Sequence, residues 1–198
     1  KAIESIINQN IKENYELIIS APDMETLIVA GKYKKLNHRI KLFKDPGKGK
    51  SYALNLIFKK LKGDIIILTD GDVYISENSI NEILKQFENK KIGCVSGRPI
   101  PQEDKSSQYG FWANFLFDAI HNLRKKLYNE RKFLESSGYL WAFRNNVIKN
   151  IPLDVAEDSV DQLSARHGGG DADPGELRSF GAIEDRELMD LADRAVIS

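Results

Sequence analysis

The stretch Asp64-Ile65-Ile66-Ile67-Leu68-Thr69-Asp70-Gly71-Asp72 decides the fold, because a short apolar run ends there on two carboxylates separated by one glycine. The run is β-branched and too short for a helix, which predicts a strand covered on both faces. Ligands of open α/β sheets bind at the carboxyl ends of such strands. A backbone turn at Gly71 would let Asp70 and Asp72 converge on one ion, and glycine permits that turn.

The two carboxylates of Asp70 and Asp72 predict a metal site. Hard oxygen ligands suit Mg²⁺ or Mn²⁺, which are usually held together with water and substrate phosphates. The simpler alternative is a solvated Asp-Gly turn at the end of a strand, with no ligand. These nine residues alone leave both interpretations open.

Length and composition limit the classes of protein to consider. With 198 residues, 41% hydrophobic residues and no net charge, the chain can bury a core and is expected to hold one main domain. The balance of charge does not favour nucleic acid as a partner.

Cysteine usage and hydropathy indicate a compartment. The chain has one cysteine, Cys94, so an intramolecular disulfide is impossible and a buried strand thiol in a reducing, cytoplasmic environment is expected. The three histidines lie far apart and do not predict zinc. No apolar run has the length of a membrane span, and the first residues do not resemble a signal peptide.

Composition changes just after Asp158. Lysine and asparagine are abundant before this point and absent after it. The residues after Asp158 include four arginines and nine acidic residues. Residues 167–175 have the composition of a flexible linker, and Ile183 to Val196 could form a helix. We therefore predict a domain over 1–158 and a tail over 159–198 of doubtful relation to it, partly disordered and packed poorly on the body. An autoinhibitory acidic tail is the alternative.

Hydrophobic periodicity predicts alternating strands and helices. The predicted strands cover 15–20, 39–44, 64–69, 92–96 and 138–144. The predicted helices cover 1–12, 23–34 with Asp23 as its cap, 51–62, a segment capped by Ser76 or Ser79, 106–131, and one or two turns over 145–150. This alternation predicts an α/β fold, with a mostly parallel sheet and helices on both faces. In the long helix, a stripe at helical spacing is predicted to face the core: Trp112, Leu116, Ile120, Leu123 and Leu127.

The loop Lys48-Gly49-Lys50-Ser51 follows one strand and opens a helix, so its N–H groups and the ammonium groups of Lys48 and Lys50 could hold an anion. It is similar to the end of a phosphate-binding P-loop. That motif needs a glycine five residues before Gly49, where this chain has Lys44. A lysine-rich solvated loop is a further alternative.

Four motifs together resemble the family 2 glycosyltransferases, inverting enzymes of the GT-A (Rossmann-like) fold that use nucleotide-sugar donors. The resemblance covers about residues 1–158. It rests on Gly47-Lys48-Gly49-Lys50-Ser51-Tyr52-Ala53-Leu54-Asn55, the D-x-D motif Asp70-Gly71-Asp72, Ser137-Gly138-Tyr139-Leu140-Trp141-Ala142-Phe143-Arg144, and Glu157-Asp158.

This resemblance implies roles for particular residues. Asp70 and Asp72 would hold Mg²⁺ or Mn²⁺ on the donor diphosphate, and Asp158 would deprotonate the acceptor hydroxyl. Asp23 would help recognise the nucleotide base or ribose, as an imperfect match to the acidic residues that often end the family's second strand.

The resemblance also implies a reaction. A sugar would pass from a nucleoside-diphosphate donor, expected to be uridine-linked, to a glycan or lipid-linked acceptor during synthesis of cell-surface glycans or polysaccharides. The chain lacks the family's opening strand and its usual continuation, so we expect a catalytic-domain fragment whose parent enzyme could associate with a membrane. The alternatives from other classes are a non-catalytic nucleotide-binding fragment and a P-loop NTPase.

Overall fold

The computed structural model of the chain describes residues 1–129, 138–145, 147–153 and 179–182, with the backbone alone at 128–129 and 179–182. The helices are α1 (Ala2–Ile7), α2 (Met24–Leu36), α3 (Lys50–Phe58), α4 (Ser79–Gln86) and α5 (Gln108–Asn129). The strands are β1 (Leu17–Ala21), β2 (Ile40–Lys44), β3 (Ile65–Thr69), β4 (Ile92–Ser96), β5 (Leu140–Arg144) and β6 (Ser179–Ala182).

The strands form two hydrogen-bonded sheets. β1 and β2 pair in parallel, and a four-stranded sheet has the order β3-β5-β4-β6. β5 runs antiparallel to both of its neighbours, whereas β6 runs parallel to β4. The predicted α/β class is confirmed, and the larger sheet is mixed because β5 enters it in the opposite direction between β3 and β4.

The four-stranded sheet is covered on both faces, because alternate residues of each strand point to opposite sides. On one face Ile67 and Ala142 belong to a cluster that includes α1 and α4 residues such as Ile6 and Ile83. On the other face the residues pack with Phe58 of α3: Ile66, Cys94, Trp141 and Phe143. The predictions of helices on both faces and of a buried Cys94 thiol are confirmed.

The two-stranded sheet has its own small core. Ile19 of β1, Ala30 of α2 and Ile40 of β2 are buried together. Leu17 lies at the margin of this cluster and also of the cluster around α1 and α4. Ile6 of α1 belongs to the cluster around α4, and Ile3 and Ile7 pack against the small core. Helix α1 therefore packs beside both sheets.

Helix α1 is shorter than predicted, since it ends at Ile7 instead of continuing to Lys12. The cause is the buried side chain of Gln9, whose Nε2 donates to the Ser76 carbonyl over 2.7 Å. Its Oε1 accepts from the Ile80 N–H over 3.2 Å. These tertiary hydrogen bonds turn the chain toward α4, and an apolar pattern cannot predict them.

The segment after β5 also differs from its prediction. In place of helical turns over 145–150, the described residues form a turn in which the Val147 N–H donates to the Arg144 carbonyl over 2.9 Å. Farther on, β6 lies in the segment that the composition set apart as a tail, and it pairs with β4. The remaining tail residues, with the predicted linker and the predicted helix from Ile183, lie outside the described residues.

The long helix α5 is rotated relative to its prediction. Trp112 is 60% exposed and Leu116 is 56% exposed, and Ile120 and Leu123 are exposed as well, so these four residues of the stripe predicted to face the core face outward. The fifth, Leu127, is partly buried. The inward positions include Gly110 and Asn114, which are buried. Among the described residues, no helix has the length and hydropathy needed to cross a membrane.

Candidate functional site

The site is built around the carboxyl end of β3. This strand is packed from both faces of the sheet, and the chain leaves it at Asp70, which is about one-third exposed. Residues 71 and 72 form a turn, and Asp72 is exposed. Gly71 does not adopt positive φ, so the turn does not use the conformation reserved for glycine. Both carboxylates lie within reach of solvent.

The loop between β2 and α3 starts at the end of β2 and contacts the end of β1. The buried carboxylate of Asp45 accepts hydrogen bonds from the Ser20 hydroxyl (3.2 Å) and from the Gly47 N–H (2.8 Å). The Asp45 N–H donates to the Ala21 carbonyl over 3.2 Å. Asp45 thereby fixes the start of the loop against the end of β1.

Two glycines then direct this loop into α3. Gly47 has φ 68° and Gly49, the N-cap residue of α3, has φ 95°, values that side-chain-bearing residues rarely adopt. Helix α3 therefore begins at Lys50, whose ammonium group forms an ion pair with the Asp70 carboxylate. This contact brings the N-terminus of α3, with its partial positive charge, to the end of β3.

The remaining residues predicted for donor binding lie around this loop. Lys48 is exposed, and its ammonium nitrogen lies 5.3 Å from the centre of the Tyr52 ring. Asp23 caps α2 by accepting the Thr26 N–H over 2.7 Å, which lowers the pKa of its carboxyl group. The structure thus joins Lys50 to Asp70, whereas Asp23 and Lys48 have other contacts.

Tyr139 and helix α5 lie beside the end of β3. The Thr69 hydroxyl donates to the Tyr139 carbonyl over 3.0 Å, and the Tyr139 ring lies 5.8 Å from the ring of Phe117 on α5. Asp118, the next residue of α5, pairs with Arg98 just after β4 (2.8 Å). Helix α5 is in this way held beside the carboxyl ends of β3 and β4.

Asn55 of α3 clamps the segment that follows β5. Its Nδ2 donates to the Ile151 carbonyl and its Oδ1 accepts the Ile151 N–H, each over 2.7 Å. Ile151 is completely buried. Asp158, predicted as the catalytic base, comes seven residues later and lies outside the described residues.

The side chains available as metal ligands fit a hard divalent cation only in part. Within the residues that the structure describes, no group of three or more His, Cys, Asp or Glu side chains could hold a metal ion. Asp70 and Asp72 are two carboxylates, and Mg²⁺ or Mn²⁺ bound at phosphate sites commonly has one or two carboxylates, with water and substrate phosphates as its other ligands. The pair therefore fits a cation that binds together with a phosphorylated ligand.

Sequence reasoning missed Asp45 and did not assign a task to Asn55. Asp45 stands next to Pro46 in a segment that has the composition of a surface loop, so only the fold reveals its buried contacts. The P-loop alternative fails on the structure, since Lys44 is the last residue of β2 where that motif requires a loop glycine.

Comparison with solved structures supports the fold. The chain is similar to the mannosyltransferase PcManGT from Pyrobaculum calidifontis, solved in complex with GDP-Man and Mn²⁺, with a TM-score of 0.61 and 18% identity. The match covers 82% of this chain and 45% of that chain, so this chain spans less than half of its neighbour. This similarity confirms a GT-A glycosyltransferase fold.

Two further comparisons carry less information. The bifunctional IspDF from Campylobacter jejuni aligns with a TM-score of 0.45 and 10% identity, over 92% of this chain and 43% of that chain, which is too weak to support an argument. No curated protein sequence matches the chain.

The family itself is shown by the sequence. Residues 1–151 match the profile described as glycosyl transferase family 2, and this range contains the Lys50 and Asp70 pair, Asp72 and Asn55. The match spans most of the chain, and the GT-A fold agrees with it. The chain belongs to glycosyl transferase family 2.

Proposed function

We propose that this chain forms the donor-binding part of an inverting enzyme. It transfers a sugar from a nucleoside diphosphate, with uridine as the expected nucleoside, to an acceptor hydroxyl in the synthesis of a cell-surface glycan or polysaccharide. The observation that carries the proposal is the ion pair between Lys50 and Asp70, which joins the N-terminus of α3 to the carboxyl end of β3. Cationic and anionic groups meet there at the edge where α/β sheets bind ligands.

Lys50 and Lys48 are the proposed diphosphate ligands. Lys50 stands at the first position of α3, where backbone N–H groups and the helix dipole favour an anion. Its ion pair with Asp70 holds the ammonium group at the site before the donor arrives. Lys48, on the exposed loop, can reach the diphosphate by leaving the Tyr52 ring.

Asp70 and Asp72 are the proposed ligands of Mg²⁺ or Mn²⁺. Both provide carboxylate oxygens at the end of β3, and the mannosyltransferase with the same fold was solved with GDP-Man and Mn²⁺. When bound, such a cation neutralises negative charge that develops on the leaving diphosphate. The two aspartates would hold the cation on the donor diphosphate, while Lys50 neutralises the charge of Asp70.

Asp158 is the proposed general base. A carboxylate on the opposite side of the anomeric carbon can take the acceptor proton as the acceptor oxygen attacks, and a single displacement inverts that carbon. The clamp of Asn55 on Ile151 supports this assignment, because it fixes the chain seven residues before Asp158 against α3.

The assignment of Asp158 predicts a specific kinetic result. Asp158→Asn keeps the shape of the side chain but cannot accept a proton, so transfer should fall at least roughly a hundredfold. Donor affinity should stay within about twofold of the parent, as removal of a base leaves the donor contacts intact. Transfer at the parental rate, or loss of donor binding in its place, would remove Asp158 from the base role.

The function is tested by measuring release of nucleoside diphosphate from a panel of UDP-linked and GDP-linked sugars. Each donor is assayed with Mn²⁺ and with a chelator, and with glycan and lipid-linked acceptors. We expect release from one class of donor that requires both cation and acceptor. Cation-dependent donor binding without turnover across the full panel would identify the chain as a non-catalytic nucleotide-binding domain.

A further inference from the structure

Tyr139 is an exposed aromatic residue just before a strand that is almost completely buried. It is 42% exposed, whereas the next four residues are each 3% exposed or less: Leu140, Trp141, Ala142 and Phe143. Their strand, β5, lies between β3 and β4 in the sheet. The fold therefore presents one aromatic ring to solvent at the end of a buried strand.

The pairing of β5 with β3 sets Tyr139 beside the candidate metal ligands. The two strands are antiparallel, and Leu140 is the register partner of Thr69. Continuing this register by one residue sets Tyr139 opposite Asp70, and residues opposite each other in antiparallel strands have neighbouring side chains on one face. The Thr69 hydroxyl donates to the Tyr139 carbonyl over 3.0 Å, which fixes the backbone at this step. The Tyr139 ring is thus placed beside the carboxylate that pairs with Lys50.

Helix α5 supports the Tyr139 ring. The Phe117 ring is half-buried, and its centroid lies 5.8 Å from that of Tyr139 with the ring planes inclined at 52°. Helix α5 is tied in turn to the end of β4 through the ion pair of Asp118 with Arg98. Packing against Phe117 limits the rotamers of the Tyr139 side chain. The ring is therefore preorganised for a contact while it stays exposed.

The order of elements along the site identifies which part of a ligand meets this ring. The loop after β2 contacts the end of β1 and leads to Lys50, which pairs with Asp70 at the end of β3. On the other side of β3 the neighbouring strand is β5. With the diphosphate at Lys50 and Asp70 and the nucleoside toward β1, where Asp23 lies, the sugar lies toward β5. This step rests on the proposed function.

We propose that Tyr139 forms a sugar-binding subsite, in which the face of its ring packs against one face of a pyranose. The C–H groups on a pyranose face are apolar and slightly positive, and the face of an aromatic ring is negative, so the two surfaces attract each other. The pyranose is the donor sugar or a sugar that serves as acceptor, since both meet at the anomeric carbon. Phe117 holds the Tyr139 ring in place.

Three substitutions separate an aromatic contact with sugar from a role in packing. Tyr139→Phe keeps the ring, whereas Tyr139→Leu keeps an apolar side chain against Phe117 and removes the aromatic face. Tyr109→Leu is the control, because Tyr109 is a tyrosine of α5 that is 86% exposed. Circular dichroism checks that all three variants fold.

Calorimetry with the full chain and Mn²⁺ tests the donor sugar. Each protein is titrated with UDP and UDP-glucose, and with GDP and GDP-mannose. If the donor sugar packs on Tyr139, Tyr139→Leu should weaken binding of the nucleotide sugar by about fivefold or more. Its affinity for the nucleoside diphosphate alone should equal that of the parent, because only the sugar loses a contact. Tyr139→Phe and the control should bind both ligands as the parent does.

Saturation-transfer NMR tests an acceptor sugar and needs no turnover. The probes are the methyl glycosides of glucose, galactose, mannose and N-acetylglucosamine, added to the full chain with and without UDP and Mn²⁺. If an acceptor sugar packs on Tyr139, at least one glycoside should give a signal with the parent and with Tyr139→Phe. That signal should fall by about fivefold or more with Tyr139→Leu.

A loss of sugar binding that is specific to Tyr139→Leu, with either class of probe, supports the subsite even if the chain transfers no sugar. Unchanged binding by Tyr139→Leu with both classes would overturn it and leave a donor site at Lys50 and Asp70 standing. An equal loss in Tyr109→Leu, or a parent chain that binds no probe sugar, would overturn it as well. Failure of the parent to bind nucleotide would contradict the proposed function, and the glycosides without nucleotide would then decide on Tyr139.

Discussion

The carboxylate of Asp45 holds the ends of β1 and β2 together, although its sequence context predicts an ordinary surface turn. Its partners are the Ser20 hydroxyl and the Gly47 N–H. Asp45 in this way brings a carboxylate to the end of β1. Such a contact depends on two segments that lie 25 residues apart, so local patterns cannot reveal it.

Asp45→Ala should destabilise the protein. The substitution leaves the Gly47 N–H and the Ser20 hydroxyl without their acceptor, which costs about 1–3 kcal/mol in the free energy of unfolding. Chemical denaturation measures this change. Glu77→Ala, at an exposed position, serves as the control and should stay within about 0.5 kcal/mol of the parent. An equal effect of both substitutions would mean that the Asp45 contacts do not stabilise the loop.

Helix α5 shows the limit of periodicity as a predictor. The spacing of Trp112, Leu116 and Leu123 correctly predicts a helix, which begins at Gln108, two residues after the predicted start. Spacing cannot say which side of a helix faces the core. That choice is made by Asn114 and Gly110, whose contacts with the preceding loop require them to be buried.

The inward side of α5 also carries a pH-sensitive group. Burial lowers the pKa of His121 from its usual value near 6.5, with further lowering by Arg98, Lys125 and Arg124 and an opposing effect of Asp118. The folded protein therefore favours neutral His121, while the unfolded chain takes up a proton as the pH falls below about 6.5. Stability that is present above that pH is lost on acidification.

His121→Gln should remove this component of the pH dependence. We expect the parent to lose more stability than the variant between about pH 7.5 and pH 5.5, measured by denaturation at each pH. His38→Gln, at an exposed position, is the control and should follow the parent. Parallel stability curves for the parent and His121→Gln would contradict the assignment.

Helix α3 connects the donor end of the site to the segment that leads toward Asp158. Asn55→Ala removes both hydrogen bonds to the buried Ile151 backbone, at a cost of about 1–3 kcal/mol for each unpaired group. Lys59→Ala, at the exposed end of the same helix, is the matched control and should change the free energy of unfolding by less than about 0.5 kcal/mol. A stable Asn55→Ala protein would show that the clamp is dispensable.

Within the residues that the structure describes, local patterns predict the strands better than they predict how the strands pair. The β-branched run before Asp70 and the alternation of Ile40, Leu42 and their neighbours indicate strands directly, because side chains of a strand alternate between faces. Insertion of β5 between β3 and β4, and the addition of β6 beside β4, depend on long-range pairing that local patterns do not encode. The sequence predicts Asp70 and Lys50 separately, as part of a metal site and of an anion-binding loop, and it does not predict the ion pair that joins them.

The role of the β3 terminus is decided by calorimetric titration of the chain with a nucleoside-diphosphate sugar, in Mn²⁺ and in a chelator. Asp72→Asn is compared with Asp64→Asn, which alters an exposed aspartate just before the opposite end of β3. We predict that Mn²⁺ strengthens donor binding to the parent and to Asp64→Asn. Asp72→Asn should lose at least about tenfold of the Mn²⁺-dependent affinity, because it removes one of two carboxylate charges. Equal donor affinity of Asp72→Asn and the parent under both conditions would contradict a metal and donor site at Asp70 and Asp72.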